Sequence, residues 1–435
     1  LPTLEKTLLV RYIDTNASIN SLNFCSSFDE IVNTTGDSEI TFESVQFNDP
    51  LYILFSSGTT GIPKCIVHGV GGTLIQHKKE HILHCDIREG ERVFYFSTCG
   101  WMMWNWLISG LASGATLMLY DGSPILKNNE SILFDYAEKE KFNVMGISAK
   151  FVDACRKKEL SPIHSHRLDS LRMILSTGSV LSSDCFDYVY GKVKSNICLS
   201  SISGGTDIVS CFVLGSNILP VYRGELQTRG LGMSVEVWNE SGLPVKEQKG
   251  ELVCTKTFPS KPIMFWDDKG RRKYENSYFS RYPNVWCHGD YVKLMDSDGM
   301  IFYGRSDTTL NRGGVRIGTA EIYRQVELLN EVIESIVVEQ NLDDDSRIIL
   351  FVKLDKDKQL SATLKEKIVN QIRSNTTPRH VPDMIIQVSD IPRTKSGKIV
   401  ELAVQKAINN LPIDNKTALE NPEILEEYYN LKELE

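Results

Sequence analysis

Short apolar runs alternate with helix-length amphipathic segments through the first half of the chain. The runs are rich in Val, Ile, Leu and Phe and are bounded by turn residues, which is the pattern of buried strands separated by helices. The strands predicted in this way lie at residues 93–97, 116–120, 144–147, 171–175 and 196–199. This alternation predicts a layered α/β fold for the large first part of the chain.

The pattern changes near residue 220. From about residue 220 to 306, short β runs between turns predict a β-rich subdomain, with strands at 235–238, 250–253 and 292–295. After residue 307 the pattern predicts a small α+β unit. Its predicted helices lie at about 319–330 and 360–374, and its strands at 335–339, 348–354 and 384–388. Residues 1–49 contain one candidate strand at 7–12, and the charged tail after residue 409 is expected to be peripheral.

Composition narrows the class of protein. The 435 residues are 41% apolar and 24% charged, which suits a large core and more than one domain. The net charge of −8 argues against a nucleic-acid partner, because phosphate backbones require basic surfaces. No apolar run is long enough to predict a membrane span. Ten cysteines are scattered without a CxxC pair, which favours reduced thiols in a cytosolic protein.

A loop rich in glycine and hydroxyl groups lies between two apolar runs and ends at Lys64. Glycines let backbone N–H groups approach an anion closely, hydroxyl groups donate hydrogen bonds and the lysine supplies positive charge. Taken alone, such a cluster is more often a solvated hairpin turn than a phosphate site. The candidate phosphate-binding residues are Ser56, Ser57, Gly58, Thr59, Thr60, Gly61 and Lys64.

Five later segments follow this loop in a fixed order. They read Ser203-Gly-Gly-Thr-Asp207, His288-Gly-Asp290, Gly304-Arg-Ser-Asp307, Gly314-Val-Arg-Ile-Gly318 and Pro392-Arg-Thr-Lys-Ser-Gly-Lys398. Together with the loop, they resemble the adenylate-forming acyl-CoA synthetases, and the resemblance runs from about residue 50 to the C-terminus. One such segment is weak support, whereas the ordered set is strong.

The resemblance implies an AMP-binding adenylation domain over residues 1–306, a mobile C-terminal lid domain over 307–435 and a hinge at Asp307. The N-terminal part of the large domain is expected to be missing, because residues 1–49 resemble only its end. The implied reaction has two steps. A carboxylate attacks the α-phosphate of ATP and releases pyrophosphate, and the thiol of coenzyme A then attacks the acyl-adenylate.

By resemblance, the loop holds the β- and γ-phosphates, Thr206 bonds the α-phosphate and Asp207 coordinates Mg²⁺. Many relatives carry glutamate at the position of Asp207, so the metal could lie slightly differently. Asp290 is expected to accept hydrogen bonds from the ribose hydroxyl groups, since a carboxylate offers two acceptor oxygens. The other expected ATP contacts are Gly178, Ser179 and Val180 along the adenine, Arg305 at the ribose and Arg316 near the phosphates.

Lys398 is the third expected catalytic residue, beside Thr206 and Asp207. A compact ammonium group suits a position between the α-phosphate and the acid, where negative charge develops during adenylation. In the family, rotation about the hinge then removes this lysine before the thioester forms. Gly314 and Arg373 match residues that lie near coenzyme A on the other face of the lid.

The resemblance implies acetoacetate as the acid. Gly204 has no side chain at a position where acetate-activating relatives carry tryptophan, so space is expected for a four-carbon acid. Trp101, Met102 and Thr177 complete the predicted acyl pocket, and Trp101 and Met102 are expected to belong partly to the core. The open alternatives are a ligase for another short acid such as acetate or propionate, a domain that loads a carrier-protein thiol, and an inactive nucleotide-binding fragment. Only small-molecule partners are expected.

Three histidines, His77, His81 and His84, recur at i, i+4 and i+7 on a predicted helix. They therefore share one face and are compatible with a metal site. A polar helix surface is the simpler interpretation of the same residues.

Overall fold

A computed structural model describes the chain except residues 1, 2, 17, 19–23, 35, 37, 38, 57–63, 313, 314, 343–345, 395, 396, 414, 415, 417, 418, 430 and 435. The chain divides into two units, Leu1–Val45 and Gln46–Glu435. In the first unit, β1 (Thr7–Leu9) pairs in parallel with β2 (Cys25–Ser27), and α1 (Phe28–Thr34) follows. The strand predicted at residues 7–12 is therefore present but ends at Leu9.

The second unit begins with a hairpin and continues as alternating helices and strands. These elements are β3 (Pro50–Phe55), β4 (Cys65–Gly69), α2 (Val70–Lys79), β5 (Arg92–Tyr95), α3 (Met102–Ile108), β6 (Thr116–Met118), α4 (Ile132–Lys139), β7 (Val144–Ser148), α5 (Ala149–Lys157), α6 (Pro162–Ser165), β8 (Met173–Thr177), α7 (Ser183–Tyr188) and β9 (Cys198–Ser201). Five of the strands form a parallel sheet in the order β6-β5-β7-β8-β9. The five predicted strands are confirmed, with ends displaced by up to two residues. Strands buried on both faces lack the polar alternation that would mark their ends.

The next part of the chain is rich in short strands, as predicted. Its elements are β10 (Ser203–Gly205), β11 (Ser210–Leu214), β12 (Thr228–Arg229), β13 (Val235–Trp238), β14 (Lys249–Cys254), β15 (Met264–Phe265), α8 (Arg272–Tyr278), β16 (Trp286–Leu294) and β17 (Met300–Arg305). An antiparallel sheet has the order β13-β14-β16-β17, and β15 extends the first hairpin as β15-β4-β3. The register places Asp290 on β16 opposite Arg305 on β17, so two residues of separate sequence motifs become neighbours.

The last part of the chain contains a second, smaller core. Its elements are β18 (Leu310–Arg312), β19 (Val315–Ile317), α9 (Thr319–Val326), β20 (Val332–Asn341), β21 (Ser346–Leu354), α10 (Ala362–Asn375), β22 (Met384–Gln387) and α11 (Glu401–Ile408). The sheet has the order β20-β21-β22. Residues of α9 and α10 pack on one face of it, and residues of α11 pack on the other. The predicted α+β unit is thus confirmed, although α9 ends four residues earlier than the pattern indicated.

The prediction of a peripheral tail is wrong. Leu425 and Tyr428 are fully buried, and the hydroxyl group of Tyr428 donates to the carbonyl oxygen of Asp390 over 2.8 Å. The tail completes the apolar cover that α11 provides over β20 and β21. Among the described residues, no helix is long and apolar enough to cross a membrane.

Candidate active site

A cavity of about 720 Å³ lies at the carboxyl ends of β7, β8 and β9. Ligands of open parallel α/β sheets commonly bind at this edge. The cavity brings together residues from the loop, the central sheet, the β-rich region and the C-terminal part. The predicted site residues that line it are Ser56, Lys64, Trp101, Met102, Thr177, Gly178, Ser179, Val180, Gly204, Thr206, Asp207, Asp290, Arg305, Asp307 and Lys398.

Four sets of predicted residues are not placed on this cavity. Ser57, Gly58, Thr59, Thr60 and Gly61 lie outside the described residues, and so does Gly314. Arg316 does not line the cavity; it donates to the carbonyl oxygen of Ser306 over 3.2 Å, and its guanidinium lies 5.3 Å from the ring centre of Tyr291. Arg373 is an exposed residue of the last turn of α10.

Asp207 lies at the end of the cavity that Lys64 also lines. Lys64 Nζ lies 2.8 Å from Asp207 Oδ1, and the hydroxyl group of Tyr278 donates to the same oxygen over 2.6 Å. Burial tends to raise the pKa of the Asp207 carboxyl group, but the charge of Lys64 and these hydrogen bonds outweigh it and hold the pKa below its usual value. Asp207 is therefore a carboxylate with a fixed cation beside it.

The turn that carries Thr206 and Asp207 is held by two histidines. His68 Nε2 lies 3.0 Å from the carbonyl oxygen of Thr206, and His77 Nε2 lies 2.5 Å from that of Val209. Val209 ends the turn with a φ of 46°, which is strained for a β-branched residue. The surrounding contacts therefore stabilise a backbone that would not form by itself. Sequence reasoning missed both supporting roles, although a histidine at the end of the apolar run Cys65-Ile-Val-His68 was a usable signal.

The three histidines of α2 and the following turn are buried, so their interpretation as a polar surface is wrong. Each imidazole bonds a backbone carbonyl oxygen: His77 that of Val209, His81 that of Trp106 and His84 that of Gly215. Burial lowers the pKa of all three, and that of His81 to about 3, so they are neutral at physiological pH. Among the described residues, no group of three or more His, Cys, Asp or Glu side chains is arranged to hold a metal ion.

A buried carboxylate, Glu80, lies among these histidines. It accepts hydrogen bonds from Gln76 Nε2 over 3.0 Å, from Ser210 Oγ over 2.5 Å and from Trp106 Nε1 over 2.9 Å. Burial opposes ionisation, but Lys79 and the hydrogen bonds lower the pKa of Glu80 below its usual value. Glu80 thus ties α2 to the strand after the Thr206 turn and to Trp106 of α3.

A second pair of charges forms where β16 and β17 lie side by side. Arg305 Nη1 lies 3.2 Å from Asp290 Oδ1 and donates to the carbonyl oxygen of His288 over 3.0 Å. Arg305 Nε lies 3.5 Å from Asp307 Oδ1. Burial acts to lower the pKa of Arg305, but the two carboxylates raise it above its usual value. Asp290 is 8% exposed, so its carboxylate presents a small, oriented surface to the cavity.

Lys398 reaches the cavity from a short turn of the C-terminal part. Thr394 N donates to the carbonyl oxygen of Lys398 over 2.9 Å, and Lys398 N donates to Thr394 Oγ1 over 3.1 Å. Gly397 lies within this turn with a φ of 79°, a conformation that glycine adopts without strain. The enclosing cavity walls and the charge of Arg305 lower the pKa of Lys398, against the attraction of Asp207 and Asp290. Asp207, Asp290, Arg305 and Lys398, from four different motifs, therefore lie around one cavity.

The residues predicted for the acyl pocket, Trp101, Met102, Thr177 and Gly204, all line the cavity. Trp101 and Met102 are partly buried, while Met103 and Trp106, which also line the cavity, belong to the buried core. Gly204, which was expected to leave space for the acid, faces the neighbouring strand at the position that a side chain would take. A Cβ atom at Gly204 would lie 2.1 Å from the carbonyl oxygen of Ser210 and 2.3 Å from the Cα atom of Cys211. Glycine is needed here because β10 and β11 approach closely.

Comparisons with protein families agree with this arrangement of residues. The model of the AMP-binding enzyme family matches residues 6–259, and that of the AMP-binding enzyme C-terminal domain matches residues 326–398. The acetoacetyl-coenzyme A synthetase of Rhizobium meliloti (strain 1021) is 58% identical over 395 residues, which are 91% of this chain and 61% of that protein. The acetoacetyl-CoA synthetase of Gallus gallus is 45% identical over 443 residues, which are 100% of this chain and 66% of that protein.

Solved structures show the same similarity. The acetoacetyl-CoA synthetase of Streptomyces lividans superposes with a TM-score of 0.91 at 39% identity and covers 98% of this chain and 65% of that one. An anthranilate CoA ligase in complex with anthranoyl-AMP shares the fold, with a TM-score of 0.72 at 19% identity over 84% of this chain and 69% of that one. The chain thus spans less than two thirds of the length of the first of these relatives. Because the first family model covers more than half of its residues, the chain belongs to the AMP-binding enzyme family.

Proposed function

We propose that the chain ligates acetoacetate to coenzyme A through an acetoacetyl-adenylate, using ATP and releasing AMP and pyrophosphate. The observation that carries this proposal is the convergence of Lys64, Asp207, Asp290, Arg305 and Lys398 on one cavity beside an apolar wall. Fixed charges of both signs suit a nucleotide, and the apolar wall suits a short acyl group. The curated relatives that match the whole chain are acetoacetyl-CoA synthetases, which supports acetoacetate as the acid.

Adenylation needs positioning and charge stabilisation rather than a proton-transfer residue. Lys398 is proposed to bridge the α-phosphate and the attacking carboxylate as negative charge develops between them. Thr206 is proposed to orient the same phosphate. Lys64 and the loop that begins at Ser56 are proposed to hold the β- and γ-phosphates, which leave as pyrophosphate. Asp290, with Arg305 beside it, is proposed to bind the ribose hydroxyl groups. The adenine is proposed to contact Gly178, Ser179 and Val180.

Asp207 fits a role as ligand of Mg²⁺, because hard cations bind ionised carboxylate oxygens. Both hydrogen bonds described above fall on Oδ1, and Oδ2 is the oxygen proposed to hold the ion. The ion would neutralise charge on the leaving phosphates, where Lys64 already acts. Lys64 and Tyr278 both contact Oδ1 of Asp207 and so orient its carboxylate group.

We further propose that residues 1–306 act as the adenylation domain and 307–435 as a lid that turns about Asp307. The two family models leave residues 260–325 between them, and this gap contains Asp307. Arg373 lies away from the cavity, which suits a contact with coenzyme A on another face of the lid, as proposed also for Gly314. The ten cysteines are free thiols, which supports a reducing compartment such as the cytosol.

The test is ATP–pyrophosphate exchange with acetate, propionate, butyrate and acetoacetate, followed by thioester formation with coenzyme A. The proposal expects exchange to be fastest with acetoacetate and the thioester to form on free coenzyme A. A preference for acetate or propionate would replace the acid but keep the reaction. Exchange without transfer to coenzyme A would favour a carrier-protein thiol as acceptor. Nucleotide binding without exchange with any acid would indicate a nucleotide-binding fragment.

A further inference from the structure

Glu334, near the start of β20, is contacted by two cations from distant parts of the chain. Lys150 of α5 bonds Glu334 Oε1, and Arg393 pairs with Glu334 Oε2. Glu334 is only 5% exposed, so water can satisfy little of its charge. We call these three residues the Glu334 cluster. It joins a helix of the large α/β region to the sheet of the C-terminal part.

A second contact of α5 reinforces the junction. Lys157, at the end of the helix, directs Nζ to the carbonyl oxygens of Val332 and Ile333, over 3.3 and 3.4 Å. Both ends of α5 therefore hold the start of β20. This contact is separate in sequence from the segment around Asp307, which gives the C-terminal part a second anchor on the large region.

Arg393 also belongs to the turn that presents Lys398. Its Nη1 donates to the carbonyl oxygen of Gly397 over 3.4 Å, and its backbone N donates to Asn421 Oδ1 over 3.0 Å. The next residue, Thr394, bonds Lys398 directly. The position of Arg393 therefore fixes where the ammonium group of Lys398 enters the cavity.

We propose that Lys150 and Glu334 are positioning residues for Lys398, which hold it in the cavity for adenylation and separate before the thioester forms. This inference rests on the proposed two-step function. A nearly buried carboxylate that loses a cation is left with uncompensated charge, so the closed arrangement is favoured while all three charges are in place. Without the charge of Glu334, Lys150 and Arg393 repel each other, and although Glu327 still attracts both, the arrangement opens more readily.

The activity test measures the two half-reactions separately in the full chain. Glu334→Gln should slow acetoacetate-dependent ATP–pyrophosphate exchange by about tenfold, the scale of coupling between contacting residues. Conversion of synthetic acetoacetyl-adenylate and coenzyme A should stay at the parent rate or rise. Lys150→Met should act in the same direction, and Lys150→Arg should restore exchange. Equal losses in both half-reactions, or unchanged exchange in Glu334→Gln, would overturn the inference.

The matched control is Lys158→Met, at the residue that follows the last residue of α5. Lys158 pairs with Glu130 over 2.5 Å and makes no part of the Glu334 cluster, so both half-reactions should stay at the parent rate. A loss in Lys158→Met equal to that in Lys150→Met would assign the effect to α5 in general and overturn the inference.

A readout without substrate separates this inference from the proposed function. Hydrogen exchange followed by mass spectrometry should show faster exchange in Glu334→Gln at the start of β20 and around Lys398, with the parallel sheet unchanged. Unchanged protection at both places would overturn the positioning role whatever the acid. Protection from hydrogen exchange could fall as expected while the parent shows no ATP–pyrophosphate exchange with acetoacetate. In that case the choice of acid is wrong, but the positioning role stands.

Discussion

The proposed nucleotide side and the proposed acyl side of the cavity are built in different ways. On the proposed nucleotide side, each charged residue belongs to a short segment with glycine, as in His288-Gly-Asp290 or Gly397-Lys398. Asp207 pairs there with Lys64, and Asp290 pairs with Arg305. On the acyl side, apolar residues of α3 pack against strands from elsewhere in the chain. Chemical groups can thus be recognised in a sequence, whereas the shape of a pocket depends on which backbones approach each other.

The two sides also differ in where their charge lies. Asp207, Asp290 and Lys398 line the cavity, so their charges are available to a ligand. Glu80 also lines the cavity, near the proposed acyl side, but Gln76, Ser210 and Trp106 donate hydrogen bonds to its oxygens. The neutral histidines beside it bond backbone carbonyls. The charges on the proposed nucleotide side are therefore proposed to bind the ligand, whereas the charge of Glu80 stabilises the structure that supports the cavity.

The largest expected effect is that of Lys398→Ala on the nucleotide side. Removal of a group that stabilises charge in a transition state costs about 10²- to 10³-fold in rate, so ATP–pyrophosphate exchange should fall on that scale. The variant should still convert synthetic acetoacetyl-adenylate and coenzyme A at the parent rate, since Lys398 is proposed to act only in adenylation. Exchange and single-turnover thioester assays measure the two rates.

Lys365→Ala is the matched control for this prediction, because Lys365 is an exposed lysine of α10 away from the cavity. It should leave both rates unchanged. If Lys398→Ala lost both half-reactions equally, Lys398 would be a structural residue instead.

Asp290→Ala should have the next largest effect. Loss of hydrogen bonds to a charged group costs about 1.5–3 kcal/mol, so the affinity for ATP measured by calorimetry should weaken by that amount. Arg305 would lose a partner but keep its contact with the carbonyl oxygen of His288. Asp298→Ala, in the turn before β17, serves as the control for a lost arginine pair, because Asp298 pairs with Arg229 outside the cavity. Equal affinity of Asp290→Ala and the parent would remove Asp290 from the nucleotide site.

Much of the fold and of the nucleotide side could be predicted from the sequence. Apolar runs marked the parallel strands, and the ordered motifs identified residues that the fold brings to one cavity, from Lys64 near the start of the chain to Lys398 near its end. Such residues are recognisable because their chemistry requires a particular side chain beside a flexible backbone. The pairing of Asp290 with Arg305, in contrast, follows from the register of β16 and β17 and needed the structure.

The errors share a physical origin. The histidines of α2 and the turn after it were interpreted as a surface because their side chains are polar, but carbonyl oxygens of three other segments satisfy them inside the protein. The tail was interpreted as peripheral because it is charged, yet Leu425 and Tyr428 fill an otherwise open face of the sheet. In each case a tertiary contact decided burial, and local composition does not contain that contact.

Gly204→Ala tests the acyl side through backbone packing. Its Cβ atom would lie 2.1 Å from the carbonyl oxygen of Ser210, and overpacking of this kind costs about 1–3 kcal/mol of unfolding free energy. Gly205→Ala is the matched control, because its Cβ atom would lie 3.2 Å from the ring of His288 and needs only a small shift. Urea unfolding should show the larger loss for Gly204→Ala. If that variant kept the parent stability and changed only the preference between acetate and acetoacetate, Gly204 would act by space after all.

The smallest expected effect is the loss of unfolding free energy at low pH that the buried His81, near the proposed acyl side, causes. Burial lowers the pKa of His81 from 6.5 to about 3, so the folded chain stays unprotonated at this site while the unfolded chain takes up a proton below pH 6.5. The contribution to stability is therefore complete above pH 6.5 and declines as the pH falls toward 3. Linkage gives a loss of about 1 kcal/mol between pH 6.5 and about pH 5.5 for one such group.

His81→Gln can keep the hydrogen bond to the carbonyl oxygen of Trp106 without titrating. Urea unfolding across this range should therefore show that the unfolding free energy of the variant declines less steeply than that of the parent. Parallel declines would mean that His81 is protonated in the folded chain, and its place in a neutral, buried support for the acyl side would be wrong.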